Sequence, residues 1–200
     1  MTFHPEMDYA SGHHKSLRPQ PVDDGMPFEY TTKNRARLEE TAKRYPPDRR
    51  RSAIMPALYL VQQQKGFITL NAIRHVADVI GCTAADVEDV VSFYTMYYTR
   101  PMGRYVLQVC RTLPCALRGA ERVTEELSTA LGIGVGDTDA SGAFSLLEVE
   151  CLGACDRAPV VMVNDGWQEC LAPESARAFV DSLRAHGEAA LSGCHHGVEK

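Results

Sequence analysis

The chain has no uninterrupted apolar run near the roughly 18 residues that a membrane span needs. Its first thirty residues, MTFHPEMDYASGHHKSLRPQPVDDGMPFEY, hold no apolar signal core. Glu6 and Asp8 in that stretch also argue against an acid-poor transit peptide. Positive charge is in deficit: 21 Lys and Arg stand against 26 Asp and Glu, a net −5, which argues against broad nucleic-acid binding. There is no P-loop. The glycines of GIGVGDT lack the spacing of a dinucleotide fingerprint and precede a predicted strand rather than follow one, so the chain is expected to bind neither NADH nor ATP by itself. No two cysteines are separated by two residues, the spacing a disulfide oxidoreductase carries at a helix start. These absences point to a reducing, cytoplasmic setting, with any membrane link made through a partner.

What remains is ordinary globular material, 44% apolar and 24% charged, enough to build a core without cysteine staples. Residues 1–30 read as an extended arm, polar and rich in Pro, Gly and His. Residues 31–100 read as a helical bundle. TTKNRARLEETAKRYPP is a helix stopped by Pro46 and Pro47. DRRRSAIMPALYLVQQQKG is a second, with Asp48 as cap, Gly66 as stop, and Pro56 marking a kink or a late start. TLNAIRHVADVIG is a third, with Ile73, Val76, Ala77 and Ile80 on one face. CTAADVEDVVSFYTMYY is a fourth, opened by a Thr83/Asp86 capping box.

The period then changes from helical to alternating. GRYVLQV, FSLLEVE, PVVMVND and WQECLA read as strands, the last two as a hairpin turned at Asp165-Gly166. ALRGAERVTEELSTALG, opening just after Cys115, and PESARAFVDSLRAHG read as helices. The order β-α-β-β-β-α predicts an α/β sandwich over 101–187, and 188–200 read as a tail.

The seven cysteines carry the chemistry. Cys110 and Cys115 are separated by four residues, Cys151 and Cys155 by three, and 35 residues lie between the pairs. Each pair follows a predicted strand. Two strand ends lying side by side would bring the four sulfurs together, where they could hold a zinc ion, a [2Fe–2S] cluster or redox-active thiols. A cluster with two irons, each taking one pair, suits the longer gaps. Pro114 stiffens the first loop, and Gly153 lets the second curl and present amides.

Other features take plainer readings. Residues 69–99 resemble a helix-turn-helix, but Arg74 stands against Asp78, Asp86, Glu88 and Asp89, and phosphate would repel that surface. The aromatic run SFYTMYYTRP reads as packing between the helical and sheet parts, and Cys82 and Cys170 as small buried hydrophobes. Cys194, His195 and His196 form a metal-like trio in a tail without a packed surround. Arg111, Arg118 and Arg157 against Glu150 and Asp156 read as a solvated charge balance.

At VCRTLPCALRG and ECLGACDRAPVVMVND, with YPPDRRRSAIMPAL and SFYTMYYTRPMGRY upstream, the chain closely resembles the NuoE-type, thioredoxin-like [2Fe–2S] subunit of respiratory complex I, from about Phe28 to about Gly187. That resemblance implies an α+β chain: an N-terminal helical bundle followed by a thioredoxin-like α/β domain. It implies Cys110, Cys115, Cys151 and Cys155 as ligands of one [2Fe–2S] cluster. It also implies one-electron exchange with the FMN of a neighbouring flavoprotein that oxidises NADH, FMN and NADH being bound by that partner. A multi-cluster iron–sulfur subunit is the second expected partner, and the complex sits on the inner face of the cell membrane. Related subunits serve NAD-linked hydrogenases and formate dehydrogenases.

Overall fold

The computed structural model describes residues 20–192. The arm as far as residue 19 and the Cys194-His195-His196 trio lie outside the described residues. The chain divides into two compact units between Pro101 and Met102, each with its own apolar core.

The first unit is helical: α1 Thr32–Ala42, a 3-10 segment Pro47–Ala53, α2 Ile54–Lys65, α3 Leu70–Ile80 and α4 Ala84–Phe93. Threonines open three of these helices. The hydroxyls of Thr31, Thr69 and Thr83 accept from the amides of Asn34, Ala72 and Asp86. At Thr83 the capping box is complete, with Asp86 reaching back to the Thr83 amide. Glycines Gly66 and Gly81 close α2 and α3 in the left-handed conformation. The stripe Ala72, Ile73, Val76, Ala77 and Ile80 is buried as the period predicts.

Three boundaries differ from expectation. The α1 helix ends at Ala42, before the prolines, and the next stretch turns. Asp48 caps nothing and pairs with Arg49; true α-helix begins at Ile54, so Pro56 sits in the first turn, where its missing amide costs no hydrogen bond. The α4 helix stops at Phe93. There the chain turns at Thr95-Met96, and the Gln62 side chain donates to the Met96 carbonyl and accepts from the Tyr98 amide. Residues 20–30 are tied down. Phe28 is buried, Asp24 pairs with Lys65, Asp23 pairs with Arg74, and the Leu70 amide donates to Val22.

The second unit holds β1 Tyr105–Cys110, α5 Leu113–Leu117, α6 Ala120–Leu131, β2 Phe144–Val149, β3 Val161–Val163, β4 Gly166–Gln168 and α7 Ala176–His186. The sheet order is β2-β1-β3-β4; β1 runs parallel to β2 and antiparallel to β3. Leu107, Val109, Leu146, Val161 and Val163 are fully buried, and α6 and α7 bring Val123, Leu127, Val180 and Leu183 to the same core.

The helix expected from Ala116 onward is two helices. Gly119, at φ 88, breaks them, and Cys115 lies inside the short first one. The hairpin loop is Asn164-Asp165, with Asn164 at φ 53, and Gly166 already pairs with Val163. The β4 strand ends at Gln168, so Cys170 lies beyond it. Past α7 the chain makes a 3-10 turn, Gly187–Ala190, and Leu191 joins the core.

Candidate functional site

The two cysteine loops meet because of strand register. Parallel pairing runs from Tyr105 opposite Phe144 to Cys110 opposite Val149, so both strands end at the same level and side by side. The Arg111 amide continues the ladder onto the Val149 carbonyl at 3.0 Å. The Arg111 guanidinium then takes Glu150 Oε1 at 2.8 and 3.1 Å, joining the residue after Cys110 to the residue before Cys151. That pair is solvent-exposed and contributes little stability; it joins two loops that the strand register has already placed together.

In the first loop Cys110 ends β1 and Cys115 sits in α5, which Pro114 opens; both are 2% exposed. The second loop leaves β2, turns through Gly153 at φ 82, and enters the 3-10 turn Cys155–Arg157. Space around Gly153 is open, so conformation and not crowding requires glycine there. Cys151 and Cys155 are exposed.

The sulfurs already interact. Cys151 and Cys155 Sγ are 3.5 Å apart, and the Gly153 amide donates to Cys151 Sγ at 3.4 Å. Cys110 Sγ lies 3.2 Å from Thr112 Oγ1. Burial raises the Cys110 pKa, but hydrogen bonds from the Thr112 hydroxyl and amide, the Leu152 amide and Cys115 outweigh it and leave it below the ordinary thiol value. Cys115 is pushed up to about 11 by burial, then by its hydrogen bond to Cys110. Cys151 is lowered by the Gly153 amide and then by Cys155, while Cys155 is raised by that same contact. Each pair therefore holds one thiol of lowered and one of raised pKa. The Cys110 charge is felt at Cys115, Cys151 and Cys155, so the two pairs form one electrostatic group. Among the described residues no three metal-binding side chains gather around a point suited to one ion; the thiols stand as two pairs. Two cysteine pairs with amide donors, one pair buried and one exposed, could hold a dinuclear iron–sulfur group.

Other residues singled out in the sequence do not join this site. Cys82 is partly buried against the helical core, ahead of α4. Cys170 is exposed rather than buried, at φ 50, its amide donating to the Arg157 carbonyl. Arg157 pairs with Asp156 and Glu169. Of the aromatic run, Tyr97 is buried in the helical core and donates to the Met55 carbonyl, whereas Phe93 is 78% exposed. Asp86 is spent on its cap and on Arg51. Sequence reasoning missed Thr112, whose signal was its position before Leu113-Pro114, a helix start. It also missed Leu113 and Leu117, 70% and 78% exposed and four residues apart, on the helix that carries Cys115.

Comparison with known proteins agrees with this arrangement. The profile of the thioredoxin-like [2Fe–2S] ferredoxins matches residues 38–184. NADH-quinone oxidoreductase subunit 2 of Thermus thermophilus is 47% identical over 149 residues, 74% of this chain and 82% of that protein. An NADH-quinone oxidoreductase subunit of Rickettsia bellii is 41% identical over 158 residues, 78% of this chain and 95% of that protein. One from Mycobacterium tuberculosis is 45% identical over 168 residues, 82% of this chain but 66% of that longer protein. Among solved structures, an NAD+-reducing [NiFe]-hydrogenase in the H2-reduced state aligns with a TM-score of 0.55 at 18% identity, over 65% of this chain and 23% of that one. At that identity the likeness speaks for fold alone. Sequence, strand register and paired thiols converge on one conclusion: this chain belongs to the thioredoxin-like [2Fe–2S] ferredoxin family.

Proposed function

We propose that this chain is the electron-transfer subunit of an NADH-quinone oxidoreductase, and that Cys110, Cys115, Cys151 and Cys155 hold its [2Fe–2S] cluster. The observation that carries the reading is the in-register parallel pairing of β1 and β2, which delivers two cysteine pairs to one place. The names of the Thermus, Rickettsia and mycobacterial relatives support the host complex.

When bound, the cluster supplies one-electron chemistry. The chain supplies the rest. Cys110 and Cys115 would hold the cluster from the buried side, backed by the core of the sheet. Cys151 and Cys155 are exposed and would hold the cluster on the side open to a partner. The amides of Gly153, Leu152 and Thr112 aim at sulfur and offset its charge without adding a full positive one. No general acid, base or nucleophile is assigned a role. NADH delivers electrons as a pair to the flavin of a partner subunit, and this chain exchanges them singly. The exposed Leu113 and Leu117 offer that partner an apolar edge beside the exposed sulfurs. No described helix is long and apolar enough to cross a membrane; the complex reaches the inner face of the cell membrane through its other subunits.

Purification of the tagged chain at native expression tests this. The expected companions are an FMN-bearing, NADH-oxidising subunit and a multi-cluster iron–sulfur subunit, with NADH reducing the assembly. Recovery with hydrogenase or formate dehydrogenase subunits would reassign the host. A colourless chain carrying stoichiometric zinc would end the electron-transfer reading.

A further inference from the structure

Thr112 sits at the N-cap position of α5, one residue before Leu113-Pro114. Three other threonines at N-caps, Thr31, Thr69 and Thr83, use their hydroxyls to accept a helix amide. Thr112 makes no such bond. Its hydroxyl turns instead to Cys110 Sγ, at 3.2 Å. The same hydroxyl also helps to lower the pKa of Cys151, from the other loop, behind the Gly153 amide and Cys155. A favourable helix cap is left unmade, and the freed hydroxyl turns to a sulfur of the first pair.

We infer that Thr112 is a positioning residue of the [2Fe–2S] site: its hydroxyl donates to the ligand sulfur of Cys110 and raises the reduction potential. The inference rests on the ligand set proposed above. In the free thiols either atom of the Cys110–Thr112 contact could donate. A ligating cysteine has lost its hydrogen, so the hydroxyl must then be the donor. Reduction adds one electron, and its negative charge spreads onto the sulfurs. A hydrogen bond to sulfur is therefore stronger in the reduced form, and its loss favours the oxidised form. The hydroxyl keeps its proton throughout; only the electron, supplied by a mediator in the titration, is exchanged.

The test is a mediated redox titration of the cluster-loaded full chain, read by visible absorption and electron paramagnetic resonance, for wild type, Thr112→Val and Thr112→Ser. Valine keeps the shape and removes the donor; serine keeps the donor. The valine variant should titrate at a lower potential, by about a tenfold change in the one-electron equilibrium constant, or about 59 mV. Serine should restore the wild-type value. An unchanged potential in Thr112→Val, or a serine variant shifted as far as valine, overturns the inference while leaving the ligand assignment standing. If valine does not hold the cluster, a serine variant with wild-type potential supports the inference, and one that also loses the cluster overturns it. A wild-type chain without a cluster would instead remove the reading on which the inference depends.

Discussion

Four cysteines differ from Cys82 and Cys170 in what surrounds them. Cys110, Cys115, Cys151 and Cys155 share charge and hydrogen bonds with one another; Cys170 stands exposed past β4 and Cys82 leans on the helical core. Serine in place of Cys151 or Cys155 should abolish or severely weaken the visible absorption of the purified chain, whereas Cys170→Ser should leave it intact; a spectrum lost with Cys170 would contradict the ligand set. Gly153→Ala puts a side chain at φ 82, at a cost of about 1–2 kcal/mol, and disturbs the amide aimed at Cys151; a lower denaturation midpoint with a perturbed cluster spectrum is expected. Another residue-scale effect lies in the helical unit. His75 packs between the Phe28 and Tyr30 rings with its Nε2 buried and unpaired. Burial, then the nearby Arg35, lowers its pKa below the unfolded value of 6.5, while Glu29 and Asp78 oppose this. Below pH 6.5 the unfolded chain takes up a proton that the folded chain resists. Its contribution to stability is thus complete above that pH and declines as pH falls toward the folded pKa. Urea midpoints at pH 7.5 and 5.5 should diverge, and His75→Leu should reduce the divergence; equal divergence in both proteins would rule His75 out. The sequence announced the cysteine pairs by spacing, but His75 was illegible, because its burial depends on Phe28 and Tyr30 from a distant position, and Thr112 showed only as a helix start, not as a partner of sulfur.

Helices were most legible where local chemistry decides them. The Thr83/Asp86 box and the glycine stop at Gly66 stand where the sequence put them. Thr83→Ala should cost about 1 kcal/mol, read as a lower thermal midpoint without loss of helical content. Boundaries failed where one residue outweighed the period: Gly119 splits what reads as a continuous helix into α5 and α6, and so carries Cys115 into a helix of its own. The closeness of β1 and β2 also depends on a glycine the sequence did not flag. A β-carbon on Gly103 would lie 2.6 Å from the Phe144 carbonyl carbon at the start of β2, and the buried Ser145 hydroxyl accepts from the Gly103 amide. Gly103→Ala should destabilise the second unit by about 1–3 kcal/mol, measured by denaturation; a neutral result would mean the strand start can shift without penalty.

At the scale of the molecule, alternation and helical period located the change from helix to sheet near residue 101. Which strands are neighbours, and in which direction, needed the fold: the sequence order does not say that β1 lies between β2 and β3. The juxtaposition of the cysteine loops follows from that topology, which is why spacing left zinc and redox thiols open. Because each unit has a separate core, the chain from Met102 onward should bind a cluster alone but fail to co-purify with the flavoprotein; a fragment that still assembles would show that the helical unit is not needed for docking. The most direct measurement is iron and acid-labile sulfide analysis of the purified chain, with electron paramagnetic resonance after reduction. It should give two of each per chain, as the [2Fe–2S] formula requires, and one unpaired spin, all absent when Cys110, Cys115, Cys151 and Cys155 are replaced together. A stoichiometric single metal without sulfide, or a full spin signal surviving that replacement, would contradict the account.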